Sequence, residues 1–86
     1  MMLGLYSIRD IHTGYLSITT DINDNSALRN FEHALEQQNT LYYTHPSDYD
    51  LYRVGTYDTE TGEIIAEMIL LTTGRSFKRK QKPKTS

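Results

Sequence analysis

The sequence contains no cysteine, which excludes disulfide bonds and thiolate metal sites. Tryptophan is also absent. No apolar run approaches the roughly 20 residues that span a bilayer, because the longest, IIAEMILL, is interrupted by Glu67. The first ten residues lack the basic start and the apolar core of a signal peptide. These absences predict a soluble, non-secreted protein with no membrane partner.

The chain is short, and 86 residues allow one domain at most. The last stretch, GRSFKRKQKPKTS, has little to bury, so we expect a single domain over residues 1–73 and a tail over residues 74–86. A folded unit of this size buries only about 60% of its unfolded surface and is marginally stable alone. Because disulfides are excluded, dimerisation is the expected source of additional stability, and we expect a homodimer.

The net charge of −2 conceals an uneven distribution. Residues 1–73 contain three arginines against all eleven acids, a formal charge of −8, whereas residues 75–84 hold six cations and no acid. The tail cannot bury enough apolar area to offset its ordering entropy, so it is predicted to be flexible. Its cations are Arg75, Lys78, Arg79, Lys80, Lys82 and Lys84.

Two similar phrases, DIHTG at residues 10–14 and DTETG at residues 58–62, each separate two strand-like stretches. The aspartate can accept hydrogen bonds from the backbone ahead of it and hold a type I turn. The glycine can adopt the positive φ of the following bulge. The phrases therefore predict two β-hairpins, whose strands are residues 3–9, 15–20, 51–57 and 63–70.

One amphipathic helix lies between the hairpins. Its apolar stripe consists of Ala27, Leu28, Phe31, Ala34 and Leu35, and Asn23 or Asp24 can cap its first turn. Residues 41–44, LYYT, could form a short strand. The predicted order is β-β-α-(β)-β-β, an α+β fold in which the helix covers one face of an antiparallel sheet.

Catalytic signals are poor. There is no glycine-rich phosphate loop, and the three histidines show no metal-binding spacing. No nucleophile stands out among the many serines and threonines. We expect no enzymatic activity, no catalytic residue, no cofactor and no metal.

The tyrosines and the basic tail are the better candidates for binding. Tyrosine rings can stack on unpaired bases, although each ring taken singly is more typical of an interface or a core edge. Four of the seven fall within residues 42–52: Tyr42, Tyr43, Tyr49 and Tyr52. With Arg53 and the tail cations, they form the predicted nucleic-acid-binding set. The tail could also serve solubility, or dock on an acidic partner or on its own acidic body.

Three phrases of the sequence resemble a known family. GLYSIRDIHTGYLS, the segment ending in RNFEHA, and HPSDYDLYRVGTYDTETG are similar to the small nonstructural protein of gokushoviruses, which are single-stranded DNA phages of the microvirus group. The resemblance covers residues 3–66. It implies an early or replication-stage protein of the host cytoplasm, not retained in the virion and described as a candidate DNA-binding protein. It brings no assigned catalytic residues.

Residues and resemblance together predict non-catalytic binding of single-stranded DNA with little sequence preference, in genome replication or packaging. The alternative is a protein-interaction module that recruits a host or viral replication protein. In that case the segment HPSDYDLY would be the interface.

Overall fold

The computed structural model describes residues 1–78, which form a five-stranded antiparallel sheet with one main helix on it. This confirms the predicted α+β class. Short 3-10 turns occupy Pro46–Asp48 and Gly74–Ser76. The other elements are β1 (Met2–Asp10), β2 (Gly14–Tyr15), β3 (Thr19–Asp21), α1 (Asp24–Leu35), α2 (Leu41–Thr44), β4 (Tyr49–Asp58) and β5 (Ile64–Thr73). The strand order is β2-β1-β4-β5, and β3 pairs with β1 on the same side as β2.

The repeated phrase makes the same turn twice, as predicted. In the first copy the Asp10 carboxylate accepts a hydrogen bond from the backbone of His12 at 2.9 Å, and in the second Asp58 accepts one from Glu60 at 2.9 Å. Gly14 and Gly62 close the turns with φ of 98° and 79°, a region that favours glycine. The bond from the Glu60 backbone is also the main cause of the lowered pKa of Asp58.

The predicted strand over residues 15–20 divides into β2 and β3. Leu16 still donates its backbone N–H to the carbonyl of Ile8 at 2.8 Å, and its own carbonyl accepts the Ser7 hydroxyl at 2.8 Å. The Ser7 side chain therefore replaces a backbone donor at the Leu16 carbonyl. Regular pairing with β1 stops after Tyr15 and resumes at Thr19.

Helix α1 begins as its sequence indicates. The Asn23 side chain caps the first turn by accepting the Ser26 backbone N–H at 2.8 Å. Ala27, Phe31 and Leu35 are buried against the sheet. Their partners in the core are Tyr6, Tyr49 and Leu51.

Residues 41–44 form a single helical turn, α2, and not the short strand that their composition allowed. Asn39 adopts a positive φ of 66°, and the chain changes direction at this residue after α1. Thr40 then caps the new turn, since its hydroxyl accepts the Tyr43 backbone N–H at 3.2 Å. A local cap has outweighed the strand propensity of the two tyrosines.

A β-bulge at Val54 sets which side chains of β4 face the helix. Tyr6 lies opposite Arg53 and its neighbour Leu5 lies opposite Gly55, so Val54 is the additional residue. Arg53 shares the helix-facing side with Tyr6 and Leu51 by regular alternation, whereas beyond the bulge Gly55 and Tyr57 lie on the same side as Tyr52. The Tyr6 ring lies over Gly4 on the helix-facing side, where a Cβ would overlap the phenol.

The described fold continues past the expected boundary at residue 73. Gly74 is buried in a 3-10 turn, and the side chain of Phe77 packs against the helix-side core. A single aromatic residue is enough to extend the contacts into the predicted tail. The rest of that tail, residues 79–86, lies outside the described residues, so its expected flexibility stays a prediction.

Candidate nucleic-acid interface

The two faces of the sheet differ in what covers them. Helices α1 and α2 both pack on one face, through Phe31 and Tyr42 respectively. Neither packs on the opposite face, which we call the open face. The register places on it Leu3, Leu5, Ser7 and Arg9 of β1, Tyr15 of β2, Asp50, Tyr52, Gly55 and Tyr57 of β4, and Ile64, Ala66 and Leu70 of β5. Met68 joins them by strand alternation.

Two tyrosines meet on the open face. The rings of Tyr15 and Tyr52 lie edge to face, with centroids 5.4 Å apart and an interplanar angle of 74°. Tyr15 is 50% exposed and Tyr52 is half-buried, so the pair presents ring surface to solvent. Tyr57 lies further along β4 on the same face. Such rings on a sheet can stack on unpaired bases.

The strand residues of the open face carry less negative charge than the body as a whole. Arg9 lies directly opposite Tyr15 in the β1–β2 pair and opposite Asp50 in the β1–β4 pair. Asp50 is the one acid among the strand residues assigned to the open face. The other described acids lie in the turns or on the helix side, as Asp24 and Glu67 do. The acidity of the body is thus displaced from the open face.

Tyr49 does not belong to this surface. It is 5% exposed, and its ring lies 4.6 Å from that of Tyr42 within the helix-side core. Burial is also the main reason that its pKa is raised. A base cannot reach this ring in the folded protein. Tyr49 is therefore excluded from the predicted nucleic-acid-binding residues. Tyr42 packs against the same core, and Tyr43 is half-buried on α2.

Arg53 is occupied by an internal contact. Its Nη1 lies 3.1 Å from both carboxylate oxygens of Asp24, which also accepts the Tyr6 hydroxyl at 2.7 Å. Burial and this carboxylate raise the pKa of Tyr6 to about 12. The arrangement ties the first turn of α1 to the sheet. It leaves Arg53 poorly placed for a phosphate.

The described part of the tail reaches the helix side at Phe77 and Lys78. Arg75 and Lys78 are exposed. Lys78 lines a shallow depression of about 730 Å³ on the helix side, together with Glu32 and Glu36. Arg79, Lys80, Lys82 and Lys84 lie outside the described residues. Of the seven predicted binding residues within the described chain, the strand register places Tyr52 on the open face and Tyr49 and Arg53 on the helix side.

Three residues that the sequence prediction missed share that face: Arg9, Tyr15 and Tyr57. The first turn contained a signal for two of them. Pairing Asp10 with Gly14 across DIHTG forces Arg9 to face Tyr15, so both must lie on one side of the sheet. Tyr57 gave no comparable signal, because the bulge at Val54 changes the alternation of β4.

The histidines take part in local contacts. The ring of His12 lies 3.3 Å from the Asp48 carboxylate, and His33 and His45 contact Gln37 and Thr44 at 2.7 Å each. Within residues 1–78, no three histidine or acidic side chains converge in a way that would hold a metal ion. No helix in the same range is long and apolar enough to cross a membrane.

Comparison with known proteins identifies the family. The sequence model of the phage ORF5 protein family matches residues 3–77, nearly the whole described chain. The chain belongs to the phage ORF5 protein family. The match ends at Phe77, the residue whose side chain completes the helix-side core. Among curated proteins and among solved structures, no significant match was found.

Proposed function

We propose that this phage ORF5 protein is a non-catalytic protein that binds single-stranded DNA on the open face of its sheet. The observation that carries the proposal is the solvent-accessible pair of Tyr15 and Tyr52 beside Arg9. The rings would stack on successive bases, and Arg9 would contact a phosphate. Each stacked base contributes about 1–3 kcal/mol without reading base edges, so sequence preference would be weak.

The family supports the choice of ligand. The chain belongs to a phage family, and its phrases resemble the nonstructural proteins of gokushoviruses, whose genomes are single-stranded DNA. The protein would act in genome replication or packaging in the host cytoplasm and would not be retained in the virion. The tail would add phosphate contacts that weaken as salt rises.

The alternative, recruitment of a replication protein through HPSDYDLY, receives less support. Tyr49 and Leu51 of that segment are buried in the core, and Asp48 is engaged with His12. The side chains of Tyr49 and Leu51 are unavailable to a partner unless the fold opens.

Fluorescence anisotropy with labelled single- and double-stranded oligonucleotides at two salt concentrations tests the proposal. We expect tighter binding to the single strand. Replacing Tyr52 by leucine should weaken that binding by about 5- to 150-fold, the equivalent of one lost stack. Tyr52→Phe keeps the ring and is the matched control, with affinity close to that of the unmodified protein. Equal binding to both DNA forms, or an unaffected Tyr52→Leu variant, would refute the proposed function.

A further inference from the structure

Strand β5 is an unprotected sheet edge. Within residues 1–78 it pairs with β4 alone, so the backbone groups along its other side have no strand partner. Its side chains are apolar and exposed on both faces of the sheet. Ile64 and Met68 are 62% and 54% exposed on the open face, and Ile65 is exposed on the other. A long apolar edge of this kind is a template for another strand.

We propose that β5 pairs antiparallel with β5 of a second copy of this chain, about a two-fold axis perpendicular to the sheet. The free backbone groups require an extended partner, which supplies main-chain hydrogen bonds. The apolar side chains on both faces require that this partner also be apolar on both faces. The strand itself meets both requirements, and two-fold dimers are the commonest closed assemblies.

The opposite edge of the sheet does not meet them. Strand β3, with the sequence Thr19, Thr20 and Asp21, is short and polar, and the Asp21 carboxylate accepts the Asn30 amide at 2.8 Å. Pairing β5 with β3 of another copy would leave the apolar side chains of β5 opposite polar ones. Pairing of β5 with β3 would also build an open-ended chain of subunits, whereas pairing of β5 with β5 gives a closed dimer of two subunits.

The single charge within β5 restricts the register. A two-fold axis perpendicular to the sheet keeps every side chain on its own face. The axis must therefore lie midway between the two copies of one residue, which face each other across the strand pair. An axis at Glu67 would place two carboxylates directly opposite each other, which is destabilising. Axes at Met68 or Ile69 avoid this and lie within residues 64–70, the part of β5 whose faces alternate regularly before the register shift next to Leu71. They place Glu67 opposite Ile69 or Leu71 of the second copy.

This dimer would give the sheet a continuous open face. Because the axis preserves the faces, both copies would present Tyr15 and Tyr52 on the same side and both α1 helices on the other. If the proposed function holds, one DNA strand could then contact two tyrosine pairs. The pairing itself rests on β5 and does not depend on DNA binding.

Single cysteines test the arrangement cleanly, because the chain has none of its own. Opposed residues of antiparallel strands have Cα atoms about 4.5–5.5 Å apart, within the range that a disulfide spans. We therefore expect Met68→Cys or Ile69→Cys, whichever lies at the axis, to form a disulfide-linked dimer under mild oxidation. The unmodified protein should sediment as a dimer without DNA.

Ile64→Cys is the matched control, since it lies on the same strand and is more exposed than Met68. In the Met68 register its two copies would lie roughly 27 Å apart, at about 3.4 Å per residue, so no disulfide should form. Crosslinking at Ile64 equal to that at residues 68 and 69 would overturn the proposal, because it would indicate another interface or random collision. A monomer by sedimentation with no crosslink at either residue would also overturn it.

Discussion

The two faces of one sheet use the same residue types for different purposes. Under α1, Tyr6 is 1% exposed and its hydroxyl is held by Asp24, whereas on the open face Tyr15 touches Tyr52 and remains half exposed. The difference comes from position and not from composition. A tyrosine in this protein is a core residue or a solvent-accessible residue of the open face according to its position in the strand register.

The largest expected effect is on the free energy of unfolding, and it distinguishes the helix-covered face of the sheet from the open face. Phe31→Ala should lower the free energy of unfolding by about 3–5 kcal/mol, because it leaves a cavity between α1 and the sheet. Ile64→Ala on the open face should cost well under about 1 kcal/mol. Urea unfolding at low protein concentration measures both. Similar losses in the two variants would show that the open face is packed.

A smaller loss is expected at Gly4. An added methyl group would overlap the ring of Tyr6, which is buried and whose hydroxyl is hydrogen-bonded to Asp24. Gly4→Ala should therefore destabilise the protein by about 1–3 kcal/mol, the usual cost of overpacking. Met2→Ala, an exposed site on the same strand, is the control for thermal unfolding. A neutral Gly4→Ala variant would contradict the close contact.

The buried tyrosine also makes stability depend on alkaline pH. The pKa of Tyr6 is raised to about 12 because the charged phenolate would be desolvated and would face Asp24. The folded state thus favours the neutral ring. Its contribution is fully present below pH 10 and is lost as pH rises toward 12. Urea unfolding across this range should show a smaller decline for Tyr6→Phe, and an identical decline would contradict the assignment.

The smallest expected effect distinguishes the tail from the rings. Deleting residues 79–86 removes four cations, so single-stranded DNA binding should weaken and its salt dependence should become shallower, by about 0.7 in the log–log slope for each lost phosphate contact. Tyr52→Leu should weaken binding with the slope nearly unchanged. Anisotropy titrations at several salt concentrations provide both slopes. A deletion that leaves the slope intact would exclude the tail as a phosphate contact.

Local patterns in the sequence predicted much of the fold. The turn chemistry of DIHTG and DTETG, the Asn23 cap and the apolar stripe of α1 each depend on residues close in the chain, and each is present. Residues 41–44 were interpreted as a possible short strand from their composition, whereas the structure forms a helical turn there with Thr40 as its N-cap.

The candidate interface was harder to predict because it depends on register across the sheet. Clustering along the chain suggested residues 42–52, but Tyr49 and Tyr52 point to opposite faces of β4. The bulge at Val54 cannot be inferred from alternation, and it places Tyr57 on the same face as Tyr52. Spacing within one segment therefore identified the residue types and missed the partners that lie on neighbouring strands.

The central claim is that single-stranded DNA contacts the open face and not the helix side. The protein has no tryptophan, so one introduced at Tyr52 is a unique fluorescent reporter, and one at the exposed helix-side residue Leu41 is its control. Adding an unlabelled oligothymidylate should quench tryptophan at position 52 by stacking and leave tryptophan at position 41 unchanged. Quenching at position 41 with none at position 52 would contradict the claim.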